Sequence, residues 1–162
     1  MKFRSATIAD AEAIHAIYAP IVETTPVSFE LEPPTVAEVA ARIERTLAGY
    51  PWIVAVDDDD ALMGYAYASQ FRARPAYRFT AEASIAVAPA YRGRGLAVPL
   101  YEALLAELLA RGFHAVVAVI NMPNDASVAL HERAGFRRVG VLHEVGFKFG
   151  EWWNVEVWER LL

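Results

Sequence analysis

The residues best suited to chemistry form one run, Tyr91-Arg92-Gly93-Arg94-Gly95-Leu96-Ala97. It follows the stretch ending in Val87-Ala88-Pro89 and opens a leucine-rich helical pattern. Glycine lets a backbone approach a ligand closely and turn into positive φ. The first turn of a helix leaves N–H groups without partners, at the positive end of the helix dipole. Strand, glycine turn and helix together make a cradle for an anion such as phosphate. Arg92 and Arg94 add charge at its rim. An ordinary strand-to-helix turn has the same local pattern. Other phosphate motifs fit less well. No Gly-Lys-Ser/Thr is present, the third glycine of a dinucleotide fingerprint is missing, and so is its early N-terminal strand.

Two further groups could move protons. Glu82 sits in the apolar stretch Thr80-Ala81-Glu82-Ala83-Ser84-Ile85. A carboxylate there is costly unless paired or used, and burial would raise its pKa toward the range of a general base. Strand alternation also allows it simply to face outward. His131 could give a proton or a hydrogen bond, or pack against or cap a helix. His15, His114 and His143 lack a comparable context and read as structural or surface residues. Arg72 and Arg74 lie on the loop after the strand ending at Ala68, with Phe29, Glu30, Tyr77 and Arg78 as candidate neighbours. A guanidinium pairs bidentately with a carboxylate or phosphinate. Any one arginine is equally compatible with a solvated surface charge.

These residues need a scaffold. The chain has 162 residues, enough for one domain, 1–162, with one sizeable core. Phe3 to Ala6 reads as a first strand. Thr7 with Asp10 opens a helix carrying Ile14, Ile17 and Tyr18, and Pro20 follows it. Thr35-x-x-Glu38 is a capping box for a second helix. Its apolar face is Val36, Val39, Ile43 and Leu47, and Gly49 ends it. Trp52 to Val56 and Leu62 to Ala68 are strands joined by the turn Asp57-Asp58-Asp59-Asp60. Four adjacent acids without ligand spacing suit a solvated turn better than a metal site. Phe79 to Val87 is the next strand. The helix after the glycine turn carries Leu96, Leu100, Leu104, Leu105 and Leu108, and Gly112 stops it. Ala115 to Ile120 reads as a strand buried on both faces. Asn124 to Arg133 is a short helix ended by Gly135. Val139 to Leu142 and Val155 to Trp158 close the chain as strands. The expected class is α+β, with mixed helices and strands and a mostly antiparallel first half.

Composition narrows the function. The formal net charge is −5, so nothing favours non-specific nucleic-acid binding. No apolar run approaches the roughly 20 residues of a membrane span, and Met1 to Ser5 lacks a signal-peptide core. A cytoplasmic protein is expected. There is no cysteine, so a thiolate metal site and a covalent Cys intermediate are excluded.

Arg92-x-x-Gly95-x-Ala97 resembles the Q/R-x-x-G-x-G/A signature of the GNAT superfamily. Asn124-x-x-Ser127-x-x-Leu130-His131-x-x-x-Gly135-Phe136 resembles that family's later motif. Phe147-Lys148-Phe149-Gly150-x-Trp152 and Pro26-Val27-Ser28-Phe29-Glu30 resemble the phosphinothricin and methionine sulfoximine acetyltransferase branch. The resemblance runs over nearly the whole chain. It implies the acyl-CoA N-acyltransferase fold, a central mostly antiparallel twisted sheet flanked by helices. It implies acetyl-CoA as donor and no metal. Gly93, Arg94, Gly95, Leu96, Ala97 and Val98, with Arg92, would take the pyrophosphate. Ile85, Ala86 and Val87 would pair with the pantetheine arm like an added strand. Asn124 would bond the cofactor's amide region, with Ser127 in support. Glu82 matches the branch's proposed catalytic glutamate. His131 stands where many family members have tyrosine as the acid for the leaving thiolate, and it would act as that acid or hold the cofactor. Phe29, Glu30, Arg72, Arg74, Tyr77 and Arg78 would surround the acceptor. The branch shows Arg followed by an acidic residue where this chain has Arg72-Ala73-Arg74-Pro75. The resemblance implies direct transfer to the α-amine of a small amino acid or analogue, by a homodimer. Lys148, Trp152 and Trp153 lie among aromatics near the C-terminus, where the two tryptophans read as core or dimer packing. Two alternatives stay open: another amine acceptor (peptide N-terminus, polyamine or aminoglycoside), or a non-catalytic acyl-CoA-binding sensor.

Overall fold

The computed structural model describes residues 1–162. Its elements are β1 (Lys2–Ser5), α1 (Ala11–Thr24), α2 (Val36–Leu47), β2 (Trp52–Val56), β3 (Leu62–Gln70), β4 (Thr80–Val87), α3 (Ala97–Ala110), β5 (Ala115–Asn121), α4 (Asp125–Arg133), β6 (Arg137–Lys148) and β7 (Glu151–Leu161). The strands form one seven-stranded sheet in the order β1-β2-β3-β4-β5-β7-β6. Every pairing is antiparallel except β4 with β5. The mixed α+β class and the mostly antiparallel sheet are as the sequence implies. No helix is long and apolar enough to cross a membrane.

Apolar residues build a core on each side of the sheet. The larger one buries Leu96, Leu100, Leu104, Leu105 and Leu108 of the α3 segment against Ala66, Ala81, Val116 and Ala118. These leucines recur at helical spacing, and each contributes roughly 1.5–3 kcal/mol on full burial. The other core packs Ile14 and Ile17 of α1 and Val39 and Ile43 of α2 against Trp52, Val54 and Tyr65. The capping box of α2 forms: Glu38 N–H donates to Thr35 Oγ1 and Thr35 N–H to Glu38 Oε2. Val36, in the first turn, stays exposed rather than joining that face.

Three boundaries differ from the sequence expectation. Pro20 does not follow α1 but lies inside it. Proline removes one helical hydrogen bond, here the one to Ala16, and both residues sit on the exposed face. The freed carbonyl therefore meets water, and burial of Ile17 and Val22 carries the helix on to Thr24. Strands β6 and β7 run well past the expected Val139–Leu142 and Val155–Trp158. A register shift between Leu142 and Gly146 and the turn at Phe149-Gly150, both at positive φ, hide that pairing in the sequence. In β5, Val119 is 48% exposed, so the strand is not buried on both faces throughout. The reason lies in the site.

Candidate active site

Strands β4 and β5 are joined at only three places: Thr80 with Ala115, Ala81 with Val116, and Glu82 with Val117. Both continue for several residues beyond, but apart. The fork opens a cleft of ≈ 170 Å³. One wall is Ser84, Ile85 and Ala86 of β4. The other is Val119, Ile120 and Asn121 of β5, which explains the exposure of Val119. Asn124, Ser127 and His131 of α4 line it further, and Tyr18, Val27, Ser28, Tyr65 and Tyr67 close the α1 side.

At the far end of β4 stands the glycine turn. Gly93 and Gly95 adopt φ of 71° and 77°, a region in which other residues are strained. The backbone N–H groups of Gly93, Arg94, Gly95, Leu96, Ala97 and Val98 make no well-formed hydrogen bond to a carbonyl or side chain of the protein. Six consecutive donors without a well-formed partner at the start of a 14-residue helix are the arrangement that an anion cradle requires. Leu96 offers only its backbone, because its side chain is buried in the core. Arg92 turns back and donates from Nε to the Val87 carbonyl at 3.1 Å. Arg94 lies 5.7 Å from the Tyr91 ring, and Tyr91 donates to Asp57 at 3.2 Å. The acid run is thus the β2–β3 turn, and it props the cradle.

Glu82 is half-buried where β4 and β5 part, at the apex of the fork, next to the cleft but not among the residues that line it. It alternates with Ser84 on β4, and Tyr67, paired with Ser84 on β3, feels its charge. No cation pairs with it, and burial pushes its carboxyl above the ordinary glutamate value. The outward-facing alternative for this residue is only half true.

His131 is 4% exposed. Its Nδ1 lies 2.7 Å from the Ser127 carbonyl, which can only accept, so Nδ1 carries the proton. Nε2 then accepts from the Tyr101 hydroxyl at 3.1 Å. Burial lowers the imidazole's pKa, which keeps the ring neutral. Tyr101 is fully buried, stacks on Phe136, and its hydroxyl is pushed above the ordinary tyrosine value by burial. Sequence reasoning missed Tyr101, which looks like one more apolar position of α3. It also missed Asn121, whose Nδ2 is buried without a partner beside the cleft; a polar residue ending an apolar strand was the available signal. Asn124 caps α4 by accepting from Ser127 N–H at 3.2 Å.

The expected acceptor residues are not gathered in the cleft. Arg72, Arg74, Tyr77 and Arg78 lie on the exposed β3–β4 connection, at the end of β4 nearer Glu82. Arg72 stacks on Phe71 at 5.1 Å and lies 5.9 Å from Tyr77, and Arg78 stacks on Phe79 at 4.4 Å. Arg74 forms no ion pair. Glu30 is bound by Arg42 at 2.6 Å, and Phe29 lies against Gly146. Trp152 is exposed, whereas Trp153 is half-buried and donates to the Lys148 carbonyl at 2.9 Å.

Residues 13–136 match the acetyltransferase (GNAT) family. The chain is similar to phosphinothricin N-acetyltransferase of Streptomyces viridochromogenes, at 41% identity over 99% of this chain and 87% of that protein. It is similar to L-methionine sulfoximine/L-methionine sulfone acetyltransferase of Pseudomonas aeruginosa, at 39% identity over 92% and 87%. The crystal structure of a GNAT superfamily phosphinothricin acetyltransferase from Sinorhizobium meliloti in complex with AcCoA has a TM-score of 0.95 to it, at 40% identity over 99% and 88% of the two chains. With the family matched over most of its length and relatives at such identity, this chain belongs to the acetyltransferase (GNAT) family and is an N-acetyltransferase.

Proposed function

We propose that the enzyme transfers acetyl from acetyl-CoA to the α-amine of a small amino acid or analogue, of the phosphinothricin, methionine sulfoximine or methionine sulfone type. The observation that carries this reading is the fork: six unpartnered amides at Gly93 to Val98, and an unpaired carboxylate, Glu82, at its apex. Acetyl-CoA supplies the activated thioester. The amides of Gly93 to Val98 hold its pyrophosphate, with Arg92 and Arg94 at the rim. The β4 edge at Ile85, Ala86 and Val87, freed from β5, receives the pantetheine arm as an added strand. Asn124 and Ser127 border the arm from α4.

Glu82 takes the proton from the acceptor ammonium, directly or through one water. A carboxylate whose pKa is raised by burial matches that task better than an exposed one. His131 holds the cofactor side of the cleft in shape; its proton is engaged by Ser127. Arg72 and Arg74, on the exposed β3–β4 connection at the Glu82 end of β4 and without ion pairs, are the cations that would pair with the acceptor's carboxylate. Tyr77 and Arg78 share that connection, and Phe29 and Glu30 would reach the acceptor only from the α1–α2 connection. The chain has no cysteine, which rules out a cysteinyl acyl-enzyme; transfer in this reading is direct, within a ternary complex. The chain acts as one domain, in the cytoplasm, as a homodimer, without metal or nucleic acid.

The test is thiol release from acetyl-CoA across a panel of amines. Turnover of methionine sulfone or phosphinothricin well above a peptide N-terminus, a polyamine or an aminoglycoside supports the acceptor. The reverse order overturns it. Acetyl-CoA binding with no turnover of any amine would make the protein a sensor instead.

A further inference from the structure

One buried charge has no part in the chemistry above. Lys148, the last residue of β6, is 3% exposed. Its ammonium donates to the carbonyls of Val22 at 2.6 Å, Thr25 at 3.0 Å and Ser28 at 2.7 Å. Three donors meet three acceptors, so the group is saturated. Placing an ammonium out of water is costly and holds the Lys148 pKa below the ordinary lysine value; the three hydrogen bonds, the Glu30 carboxylate and the Phe149 ring at 4.9 Å recover part of that cost.

Helix capping explains only part of the arrangement. Carbonyls at a helix C-terminus lack partners and favour a cation, which accounts for Val22 and Thr25. The Thr24 and Thr25 hydroxyls already hold the carbonyls of Pro20 and Ile21. Ser28 lies beyond the helix, in the wall of the cleft. Its hydroxyl bonds to that of Tyr18, another wall residue, at 2.8 Å. Two residues before Lys148, Gly146 receives the Phe29 ring so closely that a Cβ there would overlap Phe29 Cζ. The β6–β7 turn and the α1–α2 connection are therefore clasped together.

We infer that Lys148 is a positioning residue for the acceptor: through the Ser28 carbonyl it fixes the cleft wall at Val27 and Ser28 and places Phe29. This rests on reading the cleft as the transfer site. The donor-holding features, Gly93 to Val98, Asn124 and Ser127, lie at the N-terminal ends of α3 and α4. Loss of the clasp acts on the acceptor and spares the donor.

Lys148→Met keeps the length of the side chain and removes its bonds. Its KM for methionine sulfone rises at least tenfold, that for acetyl-CoA stays within twofold, and kcat at saturating acceptor stays within threefold. Backbone hydrogen exchange quickens at 25–31 and not at 93–98. Gly146→Ala keeps the ammonium but pushes the Phe29 ring aside, and gives the same split between the two KM values. If Lys148→Met does not fold, Gly146→Ala decides alone. Equal rises in both KM values, or an unchanged acceptor KM in a folded variant, overturn the role of Lys148 while the function stands. A wild-type enzyme that turns over no amino-acid acceptor overturns the acceptor reading, and this role with it.

Discussion

Glu82 and Val117 are the last residues at which β4 and β5 are joined; beyond them the strands diverge. The pair fixes the apex of the cleft. From Glu82 to Val87 the strand advances about 16 Å, an edge without a β5 partner that leads to the free amides of the glycine turn. The pairing thus sets a carboxylate at one end of a strand edge and an anion cradle at the other.

The cradle makes the first prediction. Gly95 has φ of 77° with open space around it. A β-branched side chain there meets no neighbour, so its effect comes from backbone strain. Left-handed backbone costs roughly 1–2 kcal/mol in residues other than glycine. Gly95→Val should therefore shift the turn and weaken acetyl-CoA binding about tenfold or more, with little loss of thermal stability. Calorimetric titration measures this, and an unchanged affinity would remove the pyrophosphate from this turn.

Glu82 makes the second. If it is the base, Glu82→Gln lowers kcat by roughly 10²-fold or more. The wild-type rate rises with pH as Glu82 ionises, with a midpoint above the ordinary glutamate range, and the variant lacks that limb. Stability moves the other way. Burial raises the folded-state pKa, so the folded protein binds more protons than the unfolded chain between the two pKa values. Stability contributed by this group falls as pH rises through that window. Glu82→Gln should then raise Tm at pH 8 and leave it unchanged at pH values below the ordinary glutamate pKa. Turnover unaffected by the substitution across the pH range would rule Glu82 out as base.

How much of this was visible beforehand depends on what each residue needs from others. The glycine turn was legible because positive φ and free amides are local demands. The capping box at Thr35 and Glu38 and the leucines of α3 were legible for the same reason. Glu82 stood out as a charge in an apolar strand. The fork was not visible, because it is a matter of how far two strands pair. Tyr101 and His131 lie 30 positions apart, and only folding shows that they share a hydrogen bond. Lys148 bonds to carbonyls up to 126 positions away, and backbone carbonyls carry no sequence signal. Pro20 misled because helix breaking is a local rule, overridden here by burial on the opposite face.

The buried pair of α3 and α4 makes the third. A histidine with Nδ1 tied to the Ser127 carbonyl and Nε2 accepting from Tyr101 has no proton to spare. Its depressed pKa means that the ring stays neutral at pH values where a free histidine charges. The folded state then binds fewer protons than the unfolded chain, so this group's contribution is lost as pH falls from the ordinary histidine range toward the folded pKa. The His131 ring resonances should stay those of the Nδ1–H neutral form at pH 6.5. Tyr101→Phe leaves Nε2 without a donor and should cost about 1–3 kcal/mol of stability, with kcat changed less than threefold. A hundredfold loss of kcat in a folded Tyr101→Phe would instead make this pair part of the proton path.

The apolar surface makes the last. Val139, Leu142, Val145 and Phe147 of β6 and Trp152 of β7 are each at least half exposed. Phe147 and Trp152 face each other across the hairpin, with ring centroids 4.9 Å apart. Scattered apolar side chains on a surface need no explanation, but a row of them on one hairpin marks an interaction face. The proposed homodimer accounts for it, because a second copy of the hairpin covers what the first exposes. A charge placed in such an interface is desolvated without a partner. If the wild type sediments as the proposed dimer, Phe147→Glu should convert it into a folded monomer by sedimentation velocity, with Tm measured in parallel. The same hairpin carries Gly146 and Lys148 at its tip, so the monomer should also show a raised acceptor KM with acetyl-CoA binding retained. A wild type that sediments as a monomer would leave this face to another partner.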